Sequence, residues 1–242
     1  MNKLIKTLKD LNQREQFFPS LLGLFLNPFY FSRKELLKNL NSITHEVDGT
    51  ILDIGCGTKP YRSMFNSPNY IGLEIDTPEK REQAFADYFY EGKIFPFADN
   101  QFDSIVSFQV FEHIEHLDDV MKEIQRVLRP GGKILITVPF VWEEHETPYD
   151  FRRFTSYGLI SFLEKNNFKC VSFLKSTNGI LAINQIINAQ IEYKLRNKIP
   201  GKVSRVLILL FASLLNLATL PFSFCSKTSN LYIDNIILAS KN

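Results

Sequence analysis

Asp53, Gly55 and Gly57 stand in the stretch Ile51-Leu-Asp-Ile-Gly-Cys-Gly57, and Glu74 closes a second apolar stretch, Tyr70-Ile-Gly-Leu-Glu-Ile-Asp76. Each stretch has the character of a buried strand. The first runs into two glycines one residue apart, where the backbone turns tightly and approaches something closely. In an open α/β sheet, ligands bind outside the carboxyl ends of the strands, which is where Asp53 and Glu74 fall. Glu74 follows Asp53 by about twenty residues, the interval at which a nucleotide-binding fold offers a carboxylate to ribose hydroxyls. Asp76 is the weaker candidate, since it also suits a turn or cap before Thr77-Pro78. A dinucleotide fingerprint needs a third small residue at position 60, which is Pro, and no Gly-Lys-Ser/Thr follows for a phosphate loop. Pro60 is instead suited to open a helix.

A second group of residues has the means for acid–base or acceptor chemistry. His113 follows Glu112 after a predicted fourth strand, Ser104 to Phe108. His145 lies in Trp142-Glu-Glu-His-Glu-Thr-Pro-Tyr-Asp-Phe-Arg-Arg-Phe154, beyond a predicted fifth strand. A neutral imidazole suits general-base work near neutrality. His145 is the candidate base, Glu144 or Asp150 its orienting acid, and Trp142 with Arg152 or Arg153 candidate substrate contacts, the guanidinium groups for an anion. A contact near a helix start is the competing reading of His113, and a solvated loop with an internal ion pair that of 142–154. No dense carboxylate cluster points to an obligatory divalent ion, so no metal is expected.

These residues need a frame of alternating strands and helices. Leu128-Arg-Pro-Gly-Gly-Lys-Ile-Leu-Ile-Thr-Val-Pro139 reads as a helix end, a turn and the fifth strand. Helices are predicted over Arg33 to Ile43 with Ser32 as cap, Asp118 to Leu128, and Ser156 to Asn166 with Thr155 as cap. A sixth strand covers Phe168 to Ser176, and Leu231 to Ser240 is the last. The acid-x-Gly-x-Gly turn resembles motif I of the class I S-adenosylmethionine-dependent methyltransferases. Three further segments match that family in order: Phe95-Pro-Phe-Ala-Asp-Asn-Gln-Phe-Asp103, Gln109-Val-Phe-Glu-His-Ile114 and the Pro-Gly-Gly strand.

The resemblance implies a Rossmann-like α/β fold: a seven-stranded, mostly parallel sheet with helices on both faces and an antiparallel last strand between the fifth and sixth. It implies S-adenosyl-L-methionine as cofactor, held by Asp53, Gly55, Cys56 and Gly57, with Glu74 on the ribose and Gln109 in the segment lining the site. An acid after the third strand often meets the adenine amine in this family, and Asp87 and Glu91 compete for that role. Cys56 is expected to serve as a small side chain, not as a thiol. The implied reaction is methyl transfer, with O-methylation of a small-molecule, lipid-linked or glycan-precursor acceptor favoured. Two alternatives stay open: a cofactor-binding subunit or sensor without turnover, and an NAD-dependent oxidoreductase, which Pro60 disfavours. The Asn/Asp-Pro-Pro-Tyr/Phe segment of amino-methylating DNA enzymes is replaced by Gln109-Val-Phe-Glu112.

Composition agrees. The 242 residues carry 28 basic and 26 acidic side chains, which gives no nucleic-acid footprint. Cys56, Cys170 and Cys225 form no C-x-x-C pair, and a reducing, cytoplasmic setting is expected. Lys3, Lys6 and Lys9 precede no long apolar core of the signal-peptide kind. The organisation expected is an N-terminal helical extension over 1–49 and a methyltransferase domain over 50–242, with an apolar helical insertion over 178–230. Val206 to Ser226 has no charged residue, lies between Arg205 and Lys227, and is long enough to span a bilayer. A span would strand the last strand across the membrane from its sheet. Four readings remain for 206–222: a helix packed on its own domain, a homodimer contact, a helix lying in a membrane interface, at the inner face of the membrane, and a helix that meets an apolar substrate tail. Phe17 to Phe31, also uncharged, could join such a patch.

Overall fold

The computed structural model describes residues 14–199, 201–225 and 230–242. Lys3, Lys6, Lys9 and Lys227 lie outside them, as does the side chain of Cys225. In chain order the main elements are α1 (Tyr30–Ile43), β1 (Thr50–Ile54), β2 (Asn69–Ile75), α2 (Pro78–Gln83), β3 (Tyr88–Tyr90), β4 (Phe102–Phe108), α3 (Leu117–Val127), β5 (Leu128–Pro139), α4 (Ser156–Lys165), β6 (Phe168–Asn178), α5 (Ile180–Lys198), α6 (Lys202–Thr219) and β7 (Tyr232–Lys241). The strands form one seven-stranded sheet in the order β3-β2-β1-β4-β5-β7-β6. β1 through β5 pair in parallel, and β7 runs antiparallel to β5. The seven-stranded sheet with its inserted antiparallel β7 is the one expected.

The chain forms two compact units. One comprises Leu40–Phe140, Glu144–Leu174 and Asp234–Asn242; the other takes in the remaining described residues. The described N-terminal residues up to Asn39 and the apolar segment Lys175–Ile233 therefore belong to one unit.

In the larger unit, Leu52, Ile54, Ile105, Ile134, Ile136 and Ile237 from the strands form one core with Leu117, Val120, Met121, Ile124 and Val127 of α3 and Leu159 and Leu163 of α4. Near-continuous apolar runs in β1, β4 and β5 are what a parallel sheet requires. Asp103 fixes where β1 begins, its carboxylate accepting the Thr50 N–H at 2.6 Å. Arg126, near the end of α3, donates to the Phe95 and Phe97 carbonyls and pairs with Glu123 and Asp99, pinning the loop that enters β4. Thr155 caps α4 by accepting the Gly158 N–H.

Several local expectations change. No α-helix follows Pro60; a short 3₁₀ turn, Arg62–Met64, makes the connection. α1 begins at Tyr30, so Ser32 lies inside it and is not its cap. Asp76 does not cap α2: Thr77 does, accepting the Lys80 N–H, while Asp76 pairs with Arg81. Pro130-Gly131-Gly132 falls within β5, where Gly131 at φ +71° accompanies a shift of register opposite Phe102 and Ser104.

In the smaller unit the helices bury polar side chains beside apolar ones and leave many large apolar residues exposed. The buried residues of α5 include Asn184, Gln185 and Asn188, and those of α6 are Ser204, Ile208, Ala212, Asn216 and Thr219. Asn184 donates to Thr219 and to the Leu215 carbonyl, Asn188 to the Pro28 carbonyl, and Asn216 to the Leu24 carbonyl. The outward face of α6 carries Val203, Val206, Leu210 and Leu214, each more than half exposed.

Candidate functional site

The carboxyl ends of β1 and β2 form a cradle with a polar floor. The parallel register pairs Asp53 with Gly72, so the period of two along β2 places Tyr70, Gly72 and Glu74 on one face. The Tyr70 hydroxyl donates to Asp53 Oδ2 at 2.7 Å. Asp53 is buried, and its Oδ1 has no hydrogen-bond partner. Burial pushes its carboxyl up to about 7, against the opposing pull of the Tyr70 hydroxyl and of Lys59, with Glu74 adding to the rise.

Both glycines of the turn have left-handed backbones, Gly55 at φ +69° and Gly57 at φ +47°. A Cβ on Gly55 would lie 2.4 Å from Val110 Cγ2, whereas one on Gly57 would point into open space. The two glycines thus do different work: Gly55 lets β1 turn beneath Val110, and Gly57 leaves a space beside the turn. The Gly57 N–H donates to Glu74 Oε2 at 2.9 Å, and Oε1 of the same carboxylate accepts the Ile75 N–H at 3.1 Å. Cys56 is buried, and burial pushes its thiol up to about 12, which suits a space-filling side chain.

Of the two adenine candidates, Asp87 precedes β3 and Glu91 follows it. The Asp87 carboxylate accepts the Gly72 N–H at 2.7 Å and pairs with Lys59. Its place is therefore not after the third strand, and Glu91, exposed at the carboxyl edge, is the acid that stands there. Gln109 follows β4 with a left-handed backbone at φ +57°, its side-chain amide donating to Thr137 Oγ1 and Asp234 Oδ1.

The segments after β4 and β5 meet beside these strand ends. The Phe151 N–H donates to the Glu112 carbonyl, and His113 Nδ1 lies 2.7 Å from the Tyr149 carbonyl, which can only accept, so Nδ1 carries the hydrogen. The His113 and His145 rings meet edge to face with centroids 4.7 Å apart. Asp150 accepts the His145 backbone N–H at 2.9 Å and lies 3.3 Å from its Nδ1. Arg153 grips the two oxygens of Asp150, and its hydrogen bonds hold that carboxyl well below the usual range. Arg152 donates to the Phe111, Ile114 and Glu115 carbonyls. Both arginines are thereby engaged within the protein. Trp142 belongs to the smaller unit, where its ring meets Phe29 edge-on at 5.5 Å.

Three participants escaped the sequence. Tyr70 and Lys59 support Asp53 and Asp87, and period-two spacing from Glu74 would have found Tyr70 once the β1–β2 pairing was known. Glu112 is fully buried, neither carboxylate oxygen has a hydrogen-bond partner, and burial pushes it up to about 8. Its oxygen Oε1 lies 3.8 Å from His113 Nε2.

The cradle fits the cofactor implied by the motifs. Asp53 has a buried, unpartnered oxygen, Glu74 a buried carboxylate near the end of β2, and a Cβ on Gly57 would meet open space. Comparison with known proteins agrees. Residues 52–136 match the family model described as a methyltransferase domain. The chain is 28% identical over 141 residues to protein MJ0638 of Methanocaldococcus jannaschii, covering 55% of this chain and 61% of that protein. It is 29% identical over 126 residues to the malonyl-[acyl-carrier protein] O-methyltransferase of Erwinia pyrifoliae, covering 46% and 48%. The chain spans about half the length of the curated relatives it matches. The fold is similar to that of Haemonchus contortus phosphoethanolamine N-methyltransferase 2, solved with S-adenosyl-L-methionine, at TM-score 0.52 and 18% identity over 94% of this chain and 59% of that one. Residues 52–136 thus match a methyltransferase domain, and the seven-stranded sheet with its inserted antiparallel strand is the fold of the class I S-adenosylmethionine-dependent methyltransferases that the motifs resemble.

Proposed function

We propose that this protein transfers a methyl group from S-adenosylmethionine to a hydroxyl of an amphipathic or lipid-linked acceptor at a membrane surface. The observation that carries the donor half is the cradle at the ends of β1 and β2, with the unpartnered oxygen of Asp53 beside Glu74 and the Gly57 turn. Asp53 would meet the cofactor's ammonium group and Glu74 its ribose hydroxyls, with Glu91 beyond β3 the nearer adenine partner. When bound, the cofactor supplies an electrophilic methyl on a sulfonium. The chain's contribution is mainly to hold an acceptor oxygen in line with it. The Glu112, His113 and His145 cluster is where the acceptor would be activated, with Asp150 and Arg153 setting the His145 ring.

The acceptor class is supported by the smaller unit. Its helices bury amides and expose Leu, Ile, Val and Phe, the reverse of a water-facing surface. Lys202–Ser223 is long and apolar enough to cross a membrane. The charges of α5, Glu192, Lys194, Arg196 and Lys198, together with the return of β7 to the sheet, favour an interfacial helix over a crossing one. Arg196, Lys198, Lys202 and Arg205 cluster around the α5–α6 turn and match anionic headgroups.

The test is transfer of labelled methyl from the cofactor into separated membrane and soluble extract fractions. Label entering a membrane-extractable product, and lost with Glu74→Ala, is expected. Label confined to soluble products would refute the acceptor class, and none in any fraction would refute turnover.

A further inference from the structure

Glu112, His113 and His145 each offer one ligand atom, and those atoms all lie within 4.8 Å of one another. No sequence motif announces this trio, because α3 and β5 separate its members along the chain; the meeting of the two post-strand segments assembles it. We propose that these three side chains bind one divalent transition-metal ion, whose open positions take the acceptor oxygen. The binding site stands on its own geometry, while the acceptor role rests on the methyltransferase reading above.

Three observations support the site. Glu112 is fully buried with no hydrogen-bond partner for either oxygen, and a bound cation supplies the compensation that a buried carboxylate requires. Next, each imidazole is braced from behind. His113 Nδ1 is held by the Tyr149 carbonyl at 2.7 Å, so that Nε2 is the nitrogen facing Glu112, and His145 Nδ1 lies 3.3 Å from Asp150. Metal-ligating histidines have such partners, a carbonyl or a carboxylate on the remote nitrogen. Finally, ligands about 2.1 Å from a shared ion stand about 3.4 Å apart, so atoms within 4.8 Å of one another need to close by at most about 1.4 Å. Two imidazoles and one carboxylate suit Zn²⁺, Mn²⁺ or Co²⁺ better than Ca²⁺ or Mg²⁺, which favour oxygen alone. Three protein ligands leave positions for a substrate oxygen, whose proton the ion makes easier to lose to solvent.

The full chain, stripped with a chelator, is titrated with Mn²⁺ and with Zn²⁺ by calorimetry, and its metal content is measured by mass spectrometry. One ion per chain is expected for at least one of the two. His113→Ala and His145→Ala should each weaken that binding by at least about tenfold, with S-adenosylhomocysteine affinity kept within about twofold. Glu112→Gln should behave alike, and the partly exposed His145 supplies the reading should the buried variant not fold. No stoichiometric uptake by the wild type, or equal uptake by both histidine variants, overturns the site. Normal metal uptake without S-adenosylhomocysteine binding instead overturns the methyltransferase reading and leaves the site standing. Methyl transfer into extract that is indifferent to chelation overturns the acceptor role alone.

Discussion

The Gly57 N–H donates to Glu74 Oε2 at 2.9 Å, so the turn after β1 and the acid near the end of β2 hold each other in place. One buried carboxylate therefore accepts both the Gly57 N–H of the turn and the Ile75 N–H of its own strand. Glu74→Gln keeps the side-chain volume but removes the charge, and its carbonyl oxygen can still accept the Gly57 N–H. S-adenosylhomocysteine affinity should fall by about 10- to 100-fold in calorimetry while the melting temperature changes little. Unchanged affinity would remove Glu74 from the cofactor site.

Gly55→Ala meets two obstacles, the left-handed backbone at φ +69° and Val110 at 2.4 Å. The loss of stability in denaturant titrations should be about 2–3 kcal/mol. Adding Val110→Ala relieves the contact but not the backbone strain, so the double variant should recover part of the loss relative to Val110→Ala alone. Full additivity of the two substitutions would show that the contact with Val110 is not the cause.

Asp53 gives a pH signature. Its folded-state carboxyl titrates at about 7, above the ordinary 3.8, because burial outweighs the Tyr70 hydroxyl and Lys59, and Glu74 repels its charge. The unfolded chain releases this proton first as pH rises. The protonated carboxyl therefore favours the folded state below about 4, and that advantage is lost progressively up to about 7. Without cofactor, Asp53→Asn should melt several degrees above wild type at pH 8 and close to it near pH 4. A gap of the same size at both pH values would contradict a raised carboxyl.

The outward apolar face of α6 should drive membrane association. Wild-type protein should float with liposomes containing anionic lipid, and Leu210→Glu with Leu214→Glu should leave it in the soluble fraction without altering S-adenosylhomocysteine binding. Vesicle-free wild type that self-associates through this face and ignores liposomes would assign the face to a dimer instead.

The catalytic frame was legible because its signals are local. An acid and two glycines after an apolar run, a second acid after the next strand, and a Pro-Gly-Gly segment are backbone requirements written in neighbouring residues. The acceptor side was legible only as a list of residue types. His113 and His145 were singled out, but their ring contact, like the Phe151–Glu112 and Tyr149–His113 hydrogen bonds, joins segments far apart in sequence. The Arg153–Asp150 pair, at helix-like spacing, used a guanidinium that the sequence suggested for substrate. Pro60 misled toward a helix because proline permits a helix start without requiring one. The apolar run 206–226 was visible by length, while the small and polar buried face of α6, which sets its exposed side, emerged only from the packing of Asn184, Asn188 and Asn216.

The cradle of Asp53, Gly57 and Glu74 should take the methyl donor. Calorimetric titration of the wild-type chain with S-adenosylhomocysteine, beside an identical titration with NAD, tests this directly. Saturable binding of one S-adenosylhomocysteine per chain with no heat from NAD is the predicted result. Binding of NAD in preference, or of neither ligand by a folded chain, would contradict it.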